Sequence, residues 1–315
     1  MNGLAGFWRR LFAWSIDGFL LGVIGGISAI FLYGVYVEMG PYGRLVGFVV
    51  SVLYFGIMSS RLCDGQTLGK RWLGIKVVRR DGTTMSLSRS FLRFAVFGTC
   101  YFMNGAAISP TAMEYPIFYG ILFSFIFGGL VAIPYLFIFN RRTRQSLHDL
   151  VADTLVVQTH AGVSNKDERI WKGHVVLVSC IFASLLTGAV LSKRYIEGHT
   201  DVKGLLSVVK AIAASDKVYG LSIMDQTTSF YTTKTGRSKQ RYYQVSGTWQ
   251  MGGREPNEVA LNAVKILIKD SPACLERDKI VVTVRSGYDI GISSGFRSTP
   301  VSHTPQEWLE LLGEK

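Results

Sequence analysis

The sequence predicts an α-helical membrane bundle of about five spans with a small cytoplasmic β element, followed by a soluble α+β domain. Three observations lead there. Of 315 residues, 48% are hydrophobic and mean hydropathy is +0.26, too apolar for a soluble enzyme. Several apolar runs approach the roughly 20 residues a helix needs, at about 1.5 Å per residue, to cross about 30 Å of hydrocarbon. Finally, the basic excess is uneven. Residues 1–172 carry 17 Lys/Arg against 9 Asp/Glu, whereas residues 195–315 carry 15 against 13.

Four runs have the required length. Gly18 to Val37 is free of charge, and Phe94 to Met113 is uncharged but holds Asn104 and Pro110. Tyr115 to Asn140 is the longest, and Gly173 to Ser192 stands alone before the polar C-terminal part. Leu45 to Ser60 is shorter, bounded by Arg44 and Arg61, whose stems can snorkel to the interface. The first run is expected to remain as a span, since no small-residue cleavage site follows it. Basic residues cluster at Arg9 and Arg10, from Arg61 to Arg89, and from Arg141 to Arg144. The positive-inside rule places all three clusters in the cytoplasm, which requires an even number of crossings between them. Five crossings result, and the C-terminal domain lies outside. Gly18, Gly22 and Gly26 form a small-xxx-small ladder suited to close helix approach, and so to homo-oligomer contact in the bilayer.

Polar features interrupt this pattern at three places. Arg10 and Asp17 lie two helical turns apart, about 10.5 Å along the axis, too far to pair directly, so each seeks a partner elsewhere in the bundle. An ionisable residue at the depth of Asp17 marks an internal polar site or a packing pin. Residues 64–86 alternate in Ile75 to Arg79 before Asp81-Gly82 and Thr83-Thr84, which predicts a hairpin with a type I′ turn. Residues 141–157 pass through Leu147-His148-Asp149-Leu150 and end in a strand-like Thr154 to Gln158, expected to join that hairpin.

With FWRRLFAWSIDG at 7–18, GQTLGKRWLGIKVVRRDG at 65–82, SLSRSFLR at 86–93 and RRTRQSLHDLVADTLVV at 141–157, this half resembles the RDD family of membrane proteins, named for an arginine and two aspartates. Carried over, the resemblance puts the arginine on Arg10, with Arg9 the near alternative. It puts the first aspartate on Asp17 and the second on Asp149, with Asp153 a further candidate and His148 beside it. It implies a role in transport of ligands whose identity the family leaves open, cations among them. The matching segments span about residues 3–160. Residues 161–194 then form a linker and final transmembrane helix, and 195–315 a soluble domain beyond the family pattern.

In residues 195–315 helices are expected over 202–215, 257–269 and 304–312, with strands near 219–233, 241–251, 279–285 and 289–293. Thr304-Pro305-Gln306-Glu307 reads as a helix start with a capping threonine. No nucleophile and base, phosphate loop or metal-ligand spacing is readable, so no catalytic residue, cofactor or metal is assigned. The four cysteines lack CxxC spacing and give no disulfide framework. Basic segments without interleaved aromatics exclude nucleic acid. The domain reads as a binding module for a protein or small ligand. Two function classes compete. One is a transport protein using Arg10, Asp17 and Asp149; the other is a membrane-anchored sensor, scaffold or assembly factor whose C-terminal domain binds a partner. A lipid-modifying site of Arg10, Asp17 and His148 ranks third.

Overall fold

A computed structural model describes residues 3–105, 115–161, 169–198, 200–232 and 236–313. Among them, three segments are long and apolar enough to cross a membrane: Phe7–Met58, Ile117–Phe139 and Lys172–Ser192. The first contains two helices, α1 (Phe7–Met39) and α2 (Arg44–Met58), joined by a tight turn at Gly40–Gly43. After the short α3 (Leu68–Trp72) and β1 (Ile75–Arg79) comes α4 (Leu87–Met103). Then follow α5 (Pro116–Phe139), α6 (Leu147–Val151), β2 (Thr154–Gln158) and α7 (Lys172–Gly198).

The long helices alternate in direction. Phe48 meets Phe102 and Phe55 stacks on Phe94, so α2 and α4 run antiparallel. On the other side α7 runs antiparallel to α5. Tyr135 reaches His174 at 2.8 Å, Ser124 donates to the Phe182 carbonyl at 2.7 Å, and Gly120 and Gly128 let Leu186 and Phe182 approach. Small residues at such crossings maximise packing where lipid supplies no hydrophobic drive.

Two expected elements differ. The helix predicted over Phe94 to Met113 begins seven residues earlier, at Leu87, because the Ser86 hydroxyl accepts from the Arg89 amide and caps it. It ends at Met103, and residues 106–113 of that prediction lie outside the described residues. A turn forms at Asp81-Gly82, with Arg79 N–H donating to Thr83 O at 2.8 Å, but only Gly82 takes a positive φ, +86°, so it is not type I′, and residues 83–86 are not a second strand. Met85 is fully buried and Ser86 is committed to the helix cap. Instead β1 pairs antiparallel with β2, Ile75 opposite Gln158 and Arg79 opposite Thr154.

Beyond α8 (Thr200–Ser215), four strands form one sheet in the order β3-β4-β5-β6: β3 (Val218–Thr232), β4 (Gly236–Trp249), β5 (Lys279–Asp289) and β6 (Ser294–His303). The outer pairs are antiparallel, while β4 and β5 are parallel and connected through α9 (Pro256–Asp270). Val208, Ile212, Trp249, Leu267 and Trp308, the last on the closing helix α10 (Pro305–Leu312), fill the core beneath.

The last strand lies five residues beyond its expected start. Residues 290–293, read as strand from their isoleucines, are the turn between β5 and β6. Gly291 takes φ +79°, a conformation open to glycine, and Ile290 is 1% exposed. Its burial is not in the sheet. The tip inserts between α1, α2 and α4, where Ile290 packs with Ala29 and Tyr36 and Tyr288 meets the Tyr33 ring edge-on at 5.8 Å. A Cβ on Gly47 would stand 1.9 Å from the Ile290 carbonyl oxygen. Gln250 donates to the Glu38 carbonyl at 2.8 Å, so the sheet domain rests on the α1–α2 turn.

Candidate functional site

At the opposite end of the bundle, two buried carboxylates organise two neighbouring centres. Asp17, on α1, is 1% exposed. It accepts from Tyr54 Oη of α2 at 2.7 Å, from Thr67 Oγ1 at 2.5 Å and from the Gly69 amide at 2.8 Å. Thr67 also caps α3. This clamp needs glycine at 69, since a Cβ there would lie 2.2 Å from the Ala13 carbonyl oxygen of α1. Every donor to Asp17 comes from α2 or the Thr67–Gly69 segment.

Asp149, fully buried on α6, forms the second centre. Its Oδ2 accepts from an Arg10 terminal nitrogen at 2.6 Å and from the Ser146 amide at 3.1 Å. Its Oδ1 accepts from Arg93 Nε at 3.0 Å and from a terminal nitrogen at 2.6 Å. Arg10 also donates to the Arg144 carbonyl and lies over the Phe137 ring, 4.7 Å from its centre. Burial opposes ionisation of Asp149, but Arg93, His148 and Arg10 outweigh it and hold its carboxyl well below the ordinary range.

Arg10 and Asp17 therefore do not meet. Arg10 joins Asp149 across 139 residues of sequence, and Asp17 belongs to the α3 clamp. Arg9 is exposed. Asp153, at φ +50°, pairs with Arg80 at 2.6 Å with half of its side chain exposed. His148 lies beside Asp149, its Nε2 at 3.6 Å, with Phe97 edge-on to its ring. Its Nδ1 is buried with no hydrogen-bond partner among the described residues. Burial, then the charges of Arg93, Arg10 and Lys70 against that of Asp149, push its pKa down to about 3, so the ring is neutral at physiological pH.

Arg93 and Lys70 were not singled out by the sequence. Both stand within the quoted motifs, and Arg93 is a cation at the edge of an apolar run, the signal that could have found it. Lys70 Nζ donates to Ser59 Oγ at 3.1 Å. Burial, then Arg93 and Arg10, against Asp17 and Asp149, push its pKa down to about 7. Arg10, Asp17, Lys70, Arg93 and His148 all line one cavity of about 340 Å³, whose remaining walls are aromatic and aliphatic side chains, mostly of α1, α4 and α5 with Phe55 of α2, Ile75 of β1 and Val156 of β2. The glycine ladder lies away from it. Gly18 and Gly26 meet nothing within 4 Å, and Gly22 lies beneath the Ile292 carbonyl.

The sequence model of the RDD family matches residues 4–153. Two proteins of Bacillus subtilis (strain 168), both described as uncharacterized, align with the same half. YckC is 31% identical over 170 residues, covering 53% of this chain and 95% of its own length. YxaI is 28% identical over 179 residues, covering 50% and 99%. No solved structure matches the chain.

Proposed function

The chain belongs to the RDD family of membrane proteins, and from that premise we propose that it moves a ligand across the membrane through the cavity beside Arg10, Arg93 and Asp149. The observation that carries this is the gathering of buried Arg10 and Asp17 with part-buried Lys70 and Arg93 around one cavity among membrane-type helices, with buried Asp149 behind them. Keeping such groups out of water is costly, and ionisable residues at this depth commonly mark ligand or ion paths.

The proposed arrangement is multi-pass in the inner membrane, with five crossings formed by α1, α2, α4, α5 and α7. Residues 1–160 would be the RDD bundle, 161–194 the linker and last crossing, and 195–315 an extracytoplasmic domain. Two observations support this sidedness. The basic segments around Arg9, Arg71, Arg79 and Arg141 gather at the Asp149 end, and the sheet domain rests on the α1–α2 turn at the other end. Cys274 is a poor topology probe, since it is fully buried and burial pushes its thiol up to about 11. Exposed Asn257→Cys and Thr83→Cys, with Cys63 and Cys180 replaced by Ser, are better placed. An impermeant thiol reagent on intact cells should label the first and spare the second; the reverse overturns the orientation.

Transport is tested in proteoliposomes, with an entrapped pH dye under Na⁺ or K⁺ gradients, and separately with a fluorescent alkyl sulfonate. Wild-type protein should carry one probe faster than empty liposomes, and Lys70→Gln should cut that rate at least tenfold. Rates equal to those of empty liposomes for every probe would overturn the transport reading.

A further inference from the structure

Building on the reading of this cavity as a ligand site, we propose that it binds a single-chain anionic amphiphile, its headgroup on Lys70, Arg10 and Arg93 and its chain along the aromatic walls. Charge and shape both point there.

The polar end holds three cations, Arg10, Lys70 and Arg93, against two carboxylates whose oxygens are already occupied. Asp149 is taken by two arginines and the Ser146 amide, and Asp17 by Tyr54, Thr67 and Gly69. Lys70 donates to the neutral Ser59 hydroxyl and feels the charges of Asp17 and Asp149, but three cations against two carboxylates leave the polar end with one positive charge in excess. An anion placed there would balance it. Neutral His148 lines the same cavity.

The rest of the cavity is wrong for a small hydrophilic anion. Leu11, Trp14, Phe94, Phe97, Leu130 and Phe137 form continuous apolar walls. A water molecule occupies roughly 30 Å³ in the liquid, comparable to one methylene, so 340 Å³ accommodates about ten such groups. That suits the headgroup end of one alkyl chain, the tail of a longer one passing through the mouth into lipid, and not two chains. We place the mouth where cavity-lining Trp14 of α1 meets Phe97 of α4 at 6.2 Å, beside the Phe7 and Arg10 contacts with Phe137 of α5. Trp14 is 48% exposed at this seam, leaving an entry from the bilayer side.

Anion binding at this site should depend on pH. Lys70 faces Arg10 and Asp17 on α1, Arg93 on α4, His148 and Asp149 on α6, and Ser59 after α2. With its pKa near 7, Lys70 is cationic below neutrality and loses its charge above it, so an anion binds more tightly as pH falls.

The test uses full-length protein in phosphatidylcholine nanodiscs and a hexadecyl sulfonate carrying a photoreactive diazirine, whose headgroup stays charged across the pH range. Cross-links should map to peptides containing Trp14, Phe97 or Phe137. Unlabelled hexadecyl sulfonate should displace the probe, while hexadecanol, inorganic phosphate and phosphatidylglycerol should not. Labelling should fall severalfold from pH 6 to pH 8.5. Lys70→Gln should lower labelling at pH 6 at least tenfold, while Lys70→Arg should keep it and abolish its pH dependence, which separates charge from folding. Displacement by hexadecanol, phosphate or phosphatidylglycerol, or labelling unchanged in Lys70→Gln, would overturn the proposal. Binding without flux would refute transport alone, and cation flux without binding would refute the amphiphile alone.

Discussion

Replacing Gly47 by alanine should loosen the sheet domain from the bundle without unfolding either. The new Cβ would stand 1.9 Å from the Ile290 carbonyl oxygen, a backbone atom that cannot swing aside. The β5–β6 tip must therefore withdraw, exposing Ile290. Full burial of such a side chain contributes about 1.5–3 kcal/mol. Against that, alanine is favoured over glycine inside a helix by about 1 kcal/mol. The difference, roughly 0.5–2 kcal/mol, corresponds to about a 2- to 30-fold rise in the undocked population. Hydrogen exchange at the amides of Ile290 and Gly291, which now donate to Ser293 O and Asp289 Oδ1, reads that population directly. Gly18→Ala is the control, since nothing lies within 4 Å of its Cβ position. Unchanged exchange in Gly47→Ala, or an equal increase in Gly18→Ala, would refute the insertion of this tip.

The two aspartates that follow α5 separate cleanly by environment. Asp149→Asn leaves two buried arginines without a full counter-charge and should cost roughly 3–5 kcal/mol, whereas Asp153→Asn breaks an exposed pair and should cost under about 1 kcal/mol. Thermal unfolding in detergent distinguishes them, and equal losses would contradict the structure. Asp17→Asn turns an amide N–H toward one of three donors and should destabilise by about 1–3 kcal/mol, read as faster proteolysis at residues 64–74 than elsewhere. Lys70 sets a pH dependence. Its pKa is depressed in the folded chain, so the unfolded chain holds more protons between about pH 7 and its ordinary 10.5. Stability should rise with pH across that window and flatten in Lys70→Met; a wild-type melting temperature falling from pH 7 to 9 would contradict this.

The helices were largely legible because span length and charge placement are properties of single segments. Arg44–Met58 and Pro116–Phe139 lie within two residues of the apolar runs that predicted them. What escaped was decided between segments. Nothing local distinguishes Ile290 and Ile292 in a strand from the same residues at a tip buried against Ala29 and Tyr36. The partner of Ile75–Arg79 lies beyond α4, α5 and α6, whereas Asp81-Gly82 offered a nearer one. The choice between Arg9 and Arg10, or between Asp149 and Asp153, turns on which side chain points inward. Arg10 and Asp149 are buried whereas Arg9 and Asp153 are exposed, and Arg93 and Lys70 stand beside the buried pair.

A buried ion pair does not by itself explain why the cluster is charged. Arg10 and Asp149 tie the start of α1 to α6, and a staple of that kind is often replaceable by apolar residues at little or no cost to stability. The triple variant Arg10→Met, Arg93→Met and Asp149→Leu removes both cations together with their counter-ion and leaves no charge stranded. If the cluster serves only as a staple, that protein should melt close to wild type and label with the photoreactive sulfonate as well as before. If the charges serve a ligand, it should keep its melting temperature and lose labelling at least tenfold even with Lys70 intact, because two of three headgroup contacts are gone. Loss of labelling in a stable protein is the result a staple cannot produce.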